Sequence, residues 1–238
     1  MPIPESAAYS AVAGLVLKAS PFGERSLVVD LFTAGLGRIR AAAHLPGKKN
    51  SARRAALQPF VPLLLELAGG RGELLNLRRA EVSGRPFRLP LPGYFCACYM
   101  NELLYYLYRA REPAPLLFAS CLRLLEGLAA AVPPEPLLRD FESTLLEALG
   151  CAISYRAADG QPLASGVKYL LQPGTGFVPS GADRGFEGST LLQLARGEQR
   201  SPEAAAVLLR LNRMMLEQLL EGRQLQSRKM YLEYVNRL

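Results

Sequence analysis

Residues 18–33 read Lys18-Ala-Ser-Pro-Phe-Gly-Glu-Arg-Ser-Leu-Val-Val-Asp-Leu-Phe-Thr33, and this stretch decides the fold. After a Pro-Phe-Gly turn, Leu27, Val29 and Leu31 fall on one face and Asp30 on the other, the period-2 signature of a strand. Upstream, residues 11–18 are aliphatic and β-branched, as a preceding strand requires. Downstream, Gly35 and Gly37 turn the chain into Arg38-Ile39-Arg40, which opens a third strand over 38–43. A basic loop follows, Gly47-Lys48-Lys49-Asn50-Ser51-Ala52-Arg53-Arg54. Residues 57–67 form a fourth apolar run, with Pro59 and Pro62 marking an edge or bulge because proline cannot donate to a ladder. Gly69-Gly70-Arg71-Gly72 makes the next turn, and 74–82 supply a fifth strand. Five short strands with no long crossover predict a Greek-key barrel of the OB type over residues 1–82.

Beyond a linker over 83–92 with Pro86, Pro90 and Pro92, the period becomes helical. Residues 94–108 are apolar nearly all round, broken mainly by Asn101 and Glu102, which predicts a buried central helix. Pro113 and Pro115 open a second helix with Leu117, Cys121, Leu124 and Leu128 on one stripe. Pro133-Pro134 ends it, and Pro136 starts a third with Leu138, Phe141, Leu145 and Leu149 inward, stopped at Gly150. Its carboxylates, Glu142 and Glu147, read as a solvated face. Residues 151–188, rich in glycine, read as an irregular insert with room for a short hairpin. Ser189 caps a short helix, Ser201-Pro202-Glu203 starts a longer one, and Ser227 caps the last. The expected architecture is α+β: the barrel domain, 1–82, then a mainly helical domain, 83–238.

Composition narrows the function classes. The formal net charge is +7, and residues 1–80 hold 11 Lys and Arg against 5 Asp and Glu. Charge concentrated on the barrel points to a polyanionic partner. No apolar run has the ~18–20 residues of a membrane span, and the N-terminus lacks a signal-peptide layout. Cys96, Cys98, Cys121 and Cys151 form no disulfide framework, which suits a reduced, cytoplasmic protein. His44 is the sole histidine, leaving no His cluster for a metal and little for a triad. Gly47-Lys48-Lys49 is not a phosphate-binding loop. No cofactor or metal is expected, and catalysis is disfavoured.

The candidate DNA-binding residues are Lys18, Phe22, Arg25, Arg38, Arg40, Lys48, Lys49, Arg53, Arg54 and Arg71. Such cations neutralise phosphates and release counterions without reading sequence. Arg38 and Arg40, two apart on a strand, share a face. Phe22 either stacks on an unpaired base, as barrel aromatics do in single-strand binders, or plugs the barrel end. A different class of reading is a non-catalytic protein-binding adaptor whose basic loop docks an acidic partner.

The order of residues also resembles a family. Pro21-Phe22-x-Glu24-x-Ser26-Leu27-x-x-Asp30-x-Phe32-Thr33, Gly37-Arg38-x-Arg40, Leu57-Gln58-Pro59-Phe60-x-Pro62-Leu63-Leu64-Leu65 and Gly70-Arg71-Gly72-Glu73 resemble RecO, the bacterial recombination mediator. The likeness continues in Tyr99-x-Asn101-Glu102-Leu103-Leu104, Phe141-Glu142-x-x-Leu145-Leu146-x-x-Leu149-Gly150 and Leu225-x-Ser227-Arg228. It implies an OB domain and a helical domain that bind single- and double-stranded DNA and anneal complementary strands. It also implies work with RecR to load RecA on strands coated by single-stranded DNA-binding protein, in the cytoplasm at the nucleoid. Ser20, His44, Gly47 and Gln226 stand where the family often has cations, which shifts the expected DNA contacts onto Lys48, Lys49, Arg53 and Arg54. Some members carry a four-cysteine zinc site in the part matching 151–188; only Cys151 remains here, so zinc is not expected. The acidic C-terminal tail of single-stranded DNA-binding protein is expected in the helical domain. Leu117, Cys121, Leu138 and Phe141 would line its notch, with Arg139, then Arg123, as lip cations.

Overall fold

The computed structural model describes residues 8–45, 51–70, 73–109, 111–181, 184–197 and 201–237, the first three of the helix at 51 by backbone only. Five strands come first: β1 (Ala8–Pro21), β2 (Ser26–Thr33), β3 (Gly37–His44), β4 (Leu63–Ala68) and β5 (Leu74–Val82). They close into a barrel in the order β1-β2-β3-β5-β4, antiparallel except where β3 meets β5. This is the five-stranded Greek-key arrangement of an OB fold. Val29, Leu31, Ile39, Ala41, Ala43, Leu65, Leu67 and Leu75 fill its interior, none more than 3% exposed. A bulge between Val16 and Lys18 shifts the register of β1 against β2. It lets Val16 and Ala19 both meet the core while Lys18 is exposed. Gly14 sits where a Cβ would come within 2.8 Å of the Leu65 side chain, so the β1–β4 approach requires glycine or a shift of that leucine.

Two details differ from the sequence reading. The fourth strand begins at Leu63 rather than 57, immediately after Pro62, because the two prolines cannot enter the ladder; Pro59 makes only an isolated bridge to Val16. Part of the basic loop is helical, as α1 (Ser51–Ala56), which its helix-favouring alanines and arginines permit.

Six further helices follow: α2 (Leu91–Leu107), α3 (Pro115–Ala129), α4 (Pro134–Ala148), α5 (Gly188–Ala195), α6 (Pro202–Leu220) and α7 (Gln226–Val235). By its contacts the chain groups into two compact units, residues 1–137 with 225–238, and residues 138–224. Thus α2, α3 and α7 belong with the barrel, whereas the sequence places the domain cut at 82/83.

In the first unit α2 touches β1, α3 and α7, which accounts for a helix apolar nearly all round. Its polar residues hold those neighbours. Asn101, 8% exposed, donates through Nδ2 to the carbonyls of Val16 and Leu17 at 3.3 and 3.4 Å. The Glu102 carboxylate accepts the backbone N–H groups of Gln226 and Ser227 at 3.0 and 2.8 Å, and the Ser227 hydroxyl also donates to it. An anion is thereby placed on the positive end of α7. Ser227 is consequently not the N-cap predicted for it; Leu225 occupies that position without a side-chain bond.

The second unit contains α5, α6 and most of α4. Helix α4 starts at Pro134, so Pro136 lies in its first turn, where proline removes no intrahelical bond. Gly150, at φ +70°, lies two residues past its end. Ser201 caps α6 as predicted, accepting the Ala204 N–H at 3.2 Å. The insert is more regular than the sequence suggests. Strands β6 (Lys168–Gln172) and β7 (Gly176–Pro179) form a hairpin, and β8 (Phe186–Glu187) extends it to a three-stranded sheet. Phe177, fully buried, stacks on Tyr155 and meets Tyr169 edge-on. Three aromatics thus supply the apolar area that a glycine-rich segment otherwise lacks.

Candidate nucleic-acid interface

Strands β1, β2 and β3 align one row of outward residues: Lys18 lies opposite Asp30, and Asp30 opposite Arg40. One turn along β3, Arg38 lies opposite Phe32. The sequence groups Arg38 and Arg40 as equal cations on one face, but packing separates them. Phe32 is fully buried, edge-on to Tyr108 of the α2 C-cap at 5.3 Å and near Phe118 of α3 at 6.1 Å. Arg38 beside it is committed to the protein. It bonds Asp30 Oδ1 at 2.9 Å through Nη2, donates to the Tyr105 carbonyl through Nη1, and lies 4.3 Å over the Tyr105 ring. Its side chain is only 17% exposed. Arg40 is 61% exposed, with Nε 3.9 Å from the same carboxylate oxygen. Asp30 is therefore spent largely on Arg38, and Arg40 remains open to solvent.

Lys18 is also exposed, its Nζ 5.5 Å from the centre of the Tyr105 ring. Tyr105 thus braces two cations, a role not read from the sequence, where it appears as one apolar residue of a central helix. The adjoining Tyr106 gives no separate signal, since both rings fit the apolar count equally.

At the β1–β2 end, Phe22 is 58% exposed and does not plug the barrel. Its N–H donates to Ser26 O at 2.9 Å, which closes the turn. Arg25 is exposed next to it, and its carbonyl accepts the Leu45 N–H at 2.7 Å. The basic segment therefore leaves β3 beside Arg25 and Phe22. His44 caps this edge, Nδ1 at 3.4 Å from Ser26 Oγ. Arg54 is exposed at the C-terminal side of α1. Lys48, Lys49 and Arg71 lie outside the described residues, and only the backbone of Arg53 is described.

The expected partner-binding residues divide between the two units. Leu117 and Cys121 are buried in α3, with 1% and 0% exposure, and burial pushes the Cys121 thiol well above its ordinary value. Arg123 is exposed. In the second unit Phe141 is fully buried and Leu138 partly so. Arg139 is not a free lip cation: its side chain is 12% exposed and bonds Glu142 Oε1 at 2.8 Å. Glu142, expected on a solvated face, is itself 2% exposed. The i, i+3 spacing and the inward stripe around it carry this pair, since a buried arginine needs its counter-charge on the same face.

Among the described residues no three His, Cys, Asp or Glu side chains gather as metal ligands, and no helix is long and apolar enough to cross a membrane.

Known proteins match along nearly the whole chain. The family model for the recombination protein O N terminal matches residues 9–85, and that for the C terminal matches 90–229. DNA repair protein RecO of Pseudomonas aeruginosa is 41% identical over 226 residues, 94% of this chain and 95% of that protein. RecO of Methylococcus capsulatus is 38% identical, covering 88% of each chain. RecO of Shigella boydii is 36% identical, covering 92% of this chain and 93% of its own. With both family domains matched in order on an OB barrel and its helical continuation, the chain belongs to the RecO family of DNA repair and recombination proteins.

Proposed function

We propose that this protein is a non-catalytic recombination mediator that holds DNA on the loop end and open row of its barrel. The observation that carries the reading is the placement of Phe22, Arg25 and the start of the basic segment together. Lys18 and Arg40 extend that cationic surface along the outer row. Lysine and arginine take the phosphates, and the open Phe22 ring offers a stacking platform to an unpaired base. A surface of this kind accepts single and double strands. By analogy with the family, it anneals complementary strands and helps load RecA onto strands coated with single-stranded DNA-binding protein, together with RecR, at the nucleoid. The acidic tail of single-stranded DNA-binding protein is assigned to the helical part. There Arg123 is the accessible one of the two expected cations, because Arg139 is engaged by Glu142.

The test is DNA affinity against salt for wild type and for a variant with Lys48, Lys49, Arg53 and Arg54 all changed to alanine. Loss of affinity for every sequence alike is expected, and each lost phosphate contact flattens the log–log slope by roughly 0.7 on single strands. Unchanged affinity and slope would remove the basic segment from the site. A protein-binding adaptor, the rival reading, would show no salt-dependent DNA affinity in either form.

A further inference from the structure

Within the second unit α4, α5, α6 and residues 152–155 enclose a half-open pocket of about 180 Å³. Leu146, Ile153, Leu194 and Leu208 make its apolar wall, and Ser143, Glu147 and Asn212 supply polar groups. The volume is below the ~300–1,000 Å³ of pockets that take drug-sized ligands, which favours a single side chain over a cofactor.

Asn212 decides the chemistry. It is fully buried, and its Nδ2 donates to the Arg139 carbonyl, Glu142 Oε2 and Ser143 Oγ at 3.3, 3.3 and 3.2 Å. A carbonyl and a carboxylate accept only, so the orientation of the amide is fixed. Its Oδ1 is turned away from these groups and has no protein partner. A buried acceptor left unmade costs about 1–3 kcal/mol, so the site favours an incoming donor. Nearer solvent the exposed Glu147 adds a carboxylate. The Arg139 charge is already matched by Glu142 and does not oppose a second cation. An apolar wall leading to two acceptors suits an aliphatic stem that ends in a cation.

We propose that this pocket receives a basic side chain, a lysine or arginine, from a partner protein, with Asn212 Oδ1 and Glu147 as its acceptors. The probe is a lysine blocked at both backbone ends, titrated into the full chain while NMR follows the Asn212 side-chain amide and the Tyr155 ring. Norleucine blocked in the same way is the neutral control, and spermidine represents free polyamines. Saturable shifts with blocked lysine, absent with norleucine, are expected. Glu147→Gln, on an exposed position, should weaken binding roughly two- to fivefold, the range for an exposed ion pair. Asn212→Leu should weaken it about tenfold or more, as for a lost hydrogen bond to a charged group; if that variant does not fold, Glu147→Gln decides. Equal shifts with norleucine, or no change in Glu147→Gln, would overturn the proposal. Tighter binding of spermidine than of blocked lysine would overturn the assignment to a protein side chain. DNA affinity of both variants should equal that of wild type, so this result stands apart from the DNA-binding reading.

Discussion

The two halves of one sheet face behave differently. Toward the β2–β3 turn, the outer face of the barrel lies under α2 and α3, where Phe32 and Arg38 are closed in by Tyr105, Tyr108 and Phe118. Toward the β1–β2 loop the same strands present Lys18, Arg40, Arg25 and Phe22 to solvent. Charge alone does not distinguish the halves, since each contains arginine. What distinguishes them is whether a helix supplies partners. A covered cation is held by carboxylate, carbonyl and ring and contributes to stability; an open one has its charge available for phosphate.

The largest test of this division falls on the covered half. Phe32→Ala empties a fully buried ring site and should cost about 3–5 kcal/mol, read by urea denaturation. The salt dependence of DNA binding should keep its slope in the folded fraction, because no phosphate contact is removed. A smaller stability loss follows for Arg38→Ala. It leaves Asp30, 7% exposed, without its 2.9 Å partner. The cost should be about 1–3 kcal/mol, the penalty for a buried polar group unpaired. This is below the full figure for a buried pair because Arg40 lies close enough to compensate in part. If Arg38→Ala instead kept its stability and lost DNA affinity, the division between the halves would fail.

Next in size is the latch between α2 and α7. Glu102→Ala removes the acceptor of two backbone N–H groups at the start of α7 and should cost about 0.5–2 kcal/mol, as for loss of a helix cap. Hydrogen exchange should increase first over 226–235. Uniform exchange throughout the first unit would show that α7 does not open separately.

Much of this was legible in the sequence, and the exceptions share a cause. Strand positions followed from period-2 runs because a barrel interior demands alternation, as in β3, where Ile39, Ala41 and Ala43 point in. The OB assignment followed from five such runs with short turns. What the pattern did not disclose is what covers the other face. Asp30 read as an outward polar residue, yet it is buried with Arg38, because helices more than 60 residues later in the chain close over it. Glu142 and Arg139 were misread in the same way, as solvated acid and lip cation, although three residues apart they neutralise each other in the interior. Two family segments far apart in sequence, around Asn101-Glu102 and around Ser227, proved to be the two ends of one contact. A single sequence states each end but not their pairing. The hairpin in 151–188 was only partly legible because glycine masks strand propensity, and its aromatics show their meaning only once Phe177 meets Tyr155 and Tyr169.

The smallest effect on stability is also the sharpest test of the open half. Arg40 stands 61% exposed beside a carboxylate that already has a better partner. Removing it should therefore change stability by less than ~0.5 kcal/mol, the ordinary range for surface substitutions. Its effect should appear on DNA. If Arg40 contacts one phosphate, Arg40→Ala lowers affinity for single strands and flattens the slope of log affinity against log salt by roughly 0.7. Arg40→Lys should restore the slope, because counterion release depends on charge rather than on guanidinium geometry, whereas Arg38→Lys should not restore stability, because the planar stack on Tyr105 and the two directed bonds are specific to arginine. The two arginines, one residue apart from being neighbours, thus exchange roles under the same conservative change. Rescue by lysine at position 38 and not at 40 would reverse the assignment of covered and open halves.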